Sequence, residues 1–151
     1  MPTNVPRSVS SRLSRTPIRA QVNHVVLDEA QSDPNVVTGM FSINSFPASV
    51  LFDSGATHSF ISSGFLRKHG IASILLKNNI LVSSPGGEMR VEQVCPNASI
   101  VIRGVVFPAR LVVLYFEGLD VILGMNWLTK HCGIIHCATK TMQLTHTDCI
   151  C

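Results

Sequence analysis

The sequence predicts an all-β fold: a small, closed, barrel-like domain with one or two short helices. Three observations lead there. Short apolar runs at close spacing, punctuated by Gly, Pro, Asn and Ser, read as many short strands. Only two segments carry helical spacing, and both are short. No internal repeat is present, so one copy of the fold is expected. Size and composition agree: 151 residues make one domain with room for a core, and 46% hydrophobic against 14% charged residues describes a globular body.

The elements follow in chain order. Residues 1–34 are rich in Ser, Pro, Asn and Arg and show no sustained periodicity, so they are expected to be a disordered linker. The folded domain is expected over 35–145. Val36 to Ile43 reads as a strand, Asn44-Ser45 as a turn, and Phe46 to Phe52 as the strand that delivers Asp53. Ser59 to His69 has Phe60, Ile61, Phe65 and Leu66 at mostly helical spacing, and Gly70 ends it. Ile74 to Val82 and Met89 to Val94 read as strands around Ser83-Ser84-Pro85-Gly86-Gly87-Glu88. Ala98 to Ile102 and Val105 to Tyr115 form a pair around Arg103-Gly104. Asp120 to Leu123 is a strand and Met125 to His131 a short helix. Ile134 to His136 and Thr141 to Leu144 close the domain, and residues 146–151 are a cysteine-containing tail.

The net charge of +3 is unevenly placed. Arg7, Arg12, Arg15 and Arg19 lie in the first 20 residues with no acid among them, so the folded part is near neutral. That arm has no aromatic residues for base stacking, and nucleic-acid binding is not expected of the folded domain. No apolar run approaches the length that crosses a bilayer, and no secretory signal is evident. The cysteines are odd in number, Cys95, Cys132, Cys137, Cys149 and Cys151, which fits reduced thiols and a cytoplasmic setting better than a disulfide framework.

The chemistry concentrates in Val50-Leu51-Phe52-Asp53-Ser54-Gly55-Ala56-Thr57-His58-Ser59-Phe60. An apolar strand delivers one carboxylate into a tight Ser-Gly turn. Ser54 can hydrogen-bond within the loop, Gly55 gives backbone freedom, and Ala56 is small, which suits a crowded site beside an extended peptide. Asp-Ser-Gly alone is also an ordinary turn tripeptide. Two rival readings use nearby residues. A Ser59–His58–Asp53 triad would need its members to converge from different elements, and no nucleophile elbow is present. A zinc site at Cys132, His136 and Cys137, with His131 nearby, lacks paired-ligand spacing, so no metal is expected.

A second segment extends the pattern: Leu119-Asp120-Val121-Ile122-Leu123-Gly124-Met125-Asn126-Trp127-Leu128, an apolar strand ending in Gly and entering a helix. Together with Pro85-Gly86-Gly87, Val94-Cys95-Pro96 and His131 through Lys140, it resembles the retropepsins, single-lobe aspartic proteases of retroviruses and retrotransposons. The match is most similar to the protease domain of plant gypsy-type LTR retrotransposon polyproteins, over about Val36 to Leu144. The resemblance implies that Asp53 is catalytic and that Ser54, Gly55, Ala56 and Thr57 form the active-site loop. It implies that Ser84, Pro85, Gly86 and Gly87 form a flap and that Ile122, Leu123 and Gly124 support the loop from below. One catalytic loop per chain implies a homodimer with two Asp53 carboxylates, no cofactor, and the element's own polyprotein as substrate, inside the cell or a virus-like particle. Asn126 stands where the plant family often has Asp. Thr57 and Met125 stand where retroviral enzymes tend to carry an acid and a base. A catalytically inactive domain of the same fold, used for dimerisation or peptide binding, is the alternative.

Overall fold

The computed structural model describes residues 18–22 and 36–144. Its strands are β1 (Ile18–Gln21), β2 (Val36–Ile43), β3 (Phe46–Asp53), β4 (Phe60–Ser62), β5 (Ile74–Ser84), β6 (Gly87–Ile102), β7 (Val105–Leu114), β8 (Val121–Leu123), β9 (Ile134–His136) and β10 (Thr141–Gln143). The helices are α1 (Ser63–Lys68) and α2 (Met125–Lys130). The large sheet runs β1-β5-β6-β2-β3-β8-β4-β7, and β6 also pairs with β7. That extra pairing joins β6, β2, β3, β8, β4 and β7 into a ring, the barrel-like body. A closed ring leaves none of these strands as a bare edge.

Tight turns set the register. Asn44 and Ser45 both have positive φ, 50° and 75°, as a two-residue primed hairpin turn requires. Asn44 is held in place because its Oδ1 accepts from Ser99 N at 2.8 Å. Arg103 and Gly104, at φ 50° and 78°, make the same kind of turn between β6 and β7. β3 then pairs antiparallel with β2 and parallel with β8, Leu51 lying opposite Ile122.

Alternation along these strands sorts side chains into two apolar clusters. Val50, Phe52, Ile61, Leu111, Val113, Val121 and Leu123 face one, which also takes Trp127 and Leu128 of α2. Trp127 stacks among Phe52, Phe107 and His131, with ring centroids 4.6 to 5.9 Å apart. Leu51, Phe60, Val112, Leu114 and Ile122 face the other, together with Ile80 and Val82 of β5. Strands flanked by neighbours on both sides and covered on both faces become nearly continuous apolar runs, as Val50-Leu51-Phe52 and Val121-Ile122-Leu123 do.

Three expectations need correction. Residues 18–21, placed in the linker, form β1, which pairs in parallel with β5 (Ile18 opposite Ile80, Gln21 opposite Ser83). Ala20 and Val22 are buried in the second cluster. Local composition hid this strand because its partner lies far along the chain. The helix expected from Ser59 starts later: Phe60–Ser62 is strand, wedged between β7 and β8, and Ser62 caps α1 by accepting from Phe65 N. Finally, β6 is one 16-residue strand, not two, with a register irregularity between Cys95 and Ala98 where Pro96 cannot donate. Residues 1–17, 23–35 and 145–151, which include Arg7, Arg12, Arg15, Cys149 and Cys151, lie outside the described residues.

Candidate active site

Asp53 is the last residue of β3, where the strand leaves its β2 partner and turns back. Its Oδ1 accepts from Gly55 N at 2.8 Å, and its carbonyl accepts from Ala56 N at 3.2 Å. The carboxylate therefore organises its own turn, in the manner of an Asx turn. Ser54 and Thr57 are exposed, Gly55 is half-buried and Ala56 is buried. Asp53 itself is only 1% exposed in a single chain.

The loop is locked from below by the junction of β8 and α2. Met125 N donates to Ala56 O at 2.7 Å, and Asn126 N to Thr57 O at 3.3 Å. Gly124 N donates to Ser59 Oγ at 3.0 Å, and that hydroxyl donates to Asn126 Oδ1 at 2.9 Å. Asn126 Oδ1 also accepts from Trp127 N at 2.8 Å, at the start of α2. Gly124 sits so close that a Cβ there would fall 2.2 Å from His58 O and 2.7 Å from Ala56 O. Only glycine permits that approach. Ile122 and Leu123 are fully buried beside β3 and position it. At the other end of β8, Asp120 Oδ2 accepts from Ser49 N at 2.8 Å and ties the strand to β3.

Ser84 and Gly87 close the β5–β6 hairpin, with Pro85 and Gly86 as its exposed two-residue turn. Gly87 has φ 118°, open to glycine, and Ser84 Oγ donates to Gly87 O at 3.0 Å. His58, between loop and β8, lies with Nδ1 2.9 Å from Thr57 Oγ1, and partial burial lowers its pKa from the ordinary 6.5.

These bonds dispose of the triad. The Ser59 hydroxyl is committed to Gly124 and Asn126, while the His58 ring turns to Thr57. Cys132, His136 and Cys137 are exposed, and no group of three metal-ligating side chains comes together among the described residues. Two contributors had no assigned role in the site from the sequence. Asn126, noted there only as standing where the plant family often has Asp, accepts from the Ser59 hydroxyl inside the first turn of α2. The other is β1, whose Gln21 N donates to Thr57 Oγ1 at 2.9 Å and whose Gln21 O accepts from Thr57 N at 3.0 Å. Its alternation Ile18-Arg19-Ala20-Gln21-Val22 was the only available signal.

A β ring with one Asp-Ser-Gly-Ala loop, seated on a glycine at the end of a neighbouring strand, has the architecture of a single-lobe aspartic protease. The chain belongs to the retroviral aspartyl protease family, whose sequence profile matches residues 16–149. No curated protein matches the sequence. Among solved structures, the retroviral protease-like domain of Ddi1 from Leishmania major superposes with a TM-score of 0.54 at 17% identity, covering 72% of this chain and 85% of that one. This likeness shows a shared retropepsin-like fold. EIAV protease complexed with the inhibitor HBY-793 gives a TM-score of 0.48 at 23% identity over 62% of this chain and 85% of that one. Simian foamy virus (mac) protease gives 0.43 at 16% identity over 61% and 91%.

Proposed function

We propose that the chain is an aspartic endopeptidase active as a homodimer, with Asp53 of each copy forming the catalytic pair. The observation that carries this reading is the single Asp53 loop, clamped at the junction of β8 and α2, with the Asp53 carboxylate accepting from the Gly55 backbone within it. Two such carboxylates brought together cannot both ionise, so they share one proton. The ionised Asp53 takes a proton from a water, which attacks the scissile carbonyl carbon. The protonated Asp53 hydrogen-bonds the carbonyl oxygen. Collapse of the tetrahedral adduct breaks the C–N bond as the amine nitrogen receives a proton. The pair titrates as a unit, which gives a bell-shaped pH profile.

Support for a second copy comes from the rim of the loop. Exposed Ser54 borders a shallow hollow with Met125 and Ile134, which remain 42% and 50% exposed. A second copy facing the loop would cover these apolar side chains. The hairpin tip at Ser84–Gly87 serves as the flap over an extended peptide. By sequence resemblance, the substrate we infer is the polyprotein of a plant gypsy-type retrotransposon, cut inside the cell.

The burial of Asp53 favours a second reading: the same fold used for dimerisation or peptide binding without cleavage. One experiment separates them. Purified full-length protein is incubated with polyprotein-derived peptides across a dilution series, beside Asp53→Asn. The protease reading expects specific activity to rise with protein concentration and then level off. It also expects Asp53→Asn to lose at least about a hundredfold. Near-normal cleavage by folded Asp53→Asn ends it, and no cleavage by a wild-type dimer leaves the binding domain.

A further inference from the structure

The N-terminal strand does something that a barrel strand does not need to do. The ring of β6, β2, β3, β8, β4 and β7 closes without β1, which pairs with β5 alone. β1 nevertheless spans from the flap hairpin to the catalytic loop. On one side its register runs along Ile80 to Ser83 of β5, and Val22 N donates to Ser83 O at 3.0 Å. On the other, the Gln21 backbone makes two bonds with Thr57: its N donates to the Thr57 Oγ1 hydroxyl at 2.9 Å, and its O accepts from Thr57 N at 3.0 Å. Thr57 belongs to the loop that begins at Asp53. Because β1 is parallel to β5, the chain leaves Val22 beside Ser84 and Pro85, at the flap tip.

An extended peptide held between a flap strand and an active-site loop would make this set of contacts. Its main chain would satisfy donors and acceptors on both walls, and alternate side chains would point into the floor. β1 does both. Ala20 and Val22 enter the apolar cluster with Ala56, Ile80 and Val82, whereas Arg19 and Gln21, which alternate with them, are exposed. The ion pair of Arg19 with Glu88, at 3.9 Å between largely exposed side chains, adds little.

We propose that β1 is an intramolecular occupant of the peptide-binding groove, so that another peptide enters only when β1 leaves. The proposal rests on the protease-type reading of the groove but not on turnover. It also assigns the groove's preference: an extended chain with small aliphatic side chains at alternate positions, read through its backbone by Thr57 N, Thr57 Oγ1 and Ser83 O.

The test uses the full-length chain carrying Asp53→Asn, so that nothing is cut, and a fluorescent peptide copying residues 16–24. Ala20→Glu with Gln21→Pro is added in a second protein; the first puts a charge in an apolar site and the second removes the N–H that reaches Thr57. A tethered occupant acts at an effective concentration of order millimolar, so freeing the groove should tighten peptide binding by about tenfold or more. Equal affinity for the two proteins overturns the proposal, and so does loss of cooperative unfolding in the second. Amide exchange on the protein with intact β1 gives an independent answer. Excess peptide should deprotect the Gln21 and Val22 amides while those of Thr57 and Leu51 stay protected. Unchanged protection at Gln21 and Val22 under saturating peptide also overturns the proposal. Both readouts are of binding, so an absence of cleavage by the wild-type chain would count against the catalytic reading alone.

Discussion

Gly124→Ala asks whether the seat of the Asp53 loop is as tight as its geometry states. The backbone there, φ −99° and ψ −167°, is ordinary extended chain that alanine adopts freely. On conformational grounds alone the change should stabilise by ~0.4–1 kcal/mol, since alanine has less freedom when unfolded. Sterics point the other way. The new methyl would lie 2.2 Å from His58 O, 2.7 Å from Ala56 O and 2.9 Å from His58 C, all backbone atoms. Reaching ordinary contact requires the loop and β8 to part by roughly 1 Å in a close-packed region. Met125 N–Ala56 O, Asn126 N–Thr57 O and Gly124 N–Ser59 Oγ hold them together. Overpacking costs ~1–3 kcal/mol, and each buried bond broken without replacement adds ~1–3 kcal/mol. A net loss of about 3–5 kcal/mol follows from these terms. In urea, with a slope of ~1–3 kcal/mol per molar, the midpoint should fall by about 2 M. Gly86→Ala is the control: nothing lies within 4 Å of its Cβ position, and a change below about 0.5 kcal/mol is expected. A Gly124→Ala protein within about 1 kcal/mol of wild type would show that the loop is not seated as described.

Ser59→Ala should cost ~1–3 kcal/mol, because Gly124 N loses its buried acceptor, and cleavage should fall with it; unchanged urea midpoint and activity would remove Ser59 from the clamp. For His58, burial lowers the folded-state pKa, so the unfolded chain binds more protons between that lowered value and 6.5. Stability should therefore rise with pH through this window and level off above it. Comparing urea midpoints of wild type and His58→Gln at about pH 5 and pH 7.5 isolates the contribution; an equal acid-side loss in both proteins would contradict it.

The tight turn at Asp53 and the glycine beneath it were legible because each depends on residue types with few substitutes. Asp-Ser-Gly-Ala makes a tight turn, and Gly124 alone allows backbone to touch backbone. The hairpin turns at Asn44-Ser45 and Arg103-Gly104 were legible for a similar reason, being short and flanked by alternating strands. What could not be read depended on distant partners. Phe60-Ile61 fits a helical stripe and a buried strand equally well, and β7 and β8 decide between them. Pro96-Asn97 looks like a strand end, yet the ladder resumes at Ala98 because β7 continues alongside. Ile18 to Gln21 sits among linker-like residues and becomes a strand only against β5 and Thr57.

The seating of the loop on β8 also has a consequence in time. Ser59 and Gly124, which share a hydrogen bond, are 65 positions apart, and Ser49 and Asp120 are 71 apart. Synthesis proceeds from the N-terminus at ~5–20 residues per second, so Asp53 leaves the ribosome several seconds before the strand that must support it. Until then its loop has no floor, and pairings this remote in sequence form slowly even when both halves exist. Nascent chains stalled before Gly124 should carry the aspartate but no ordered loop around it.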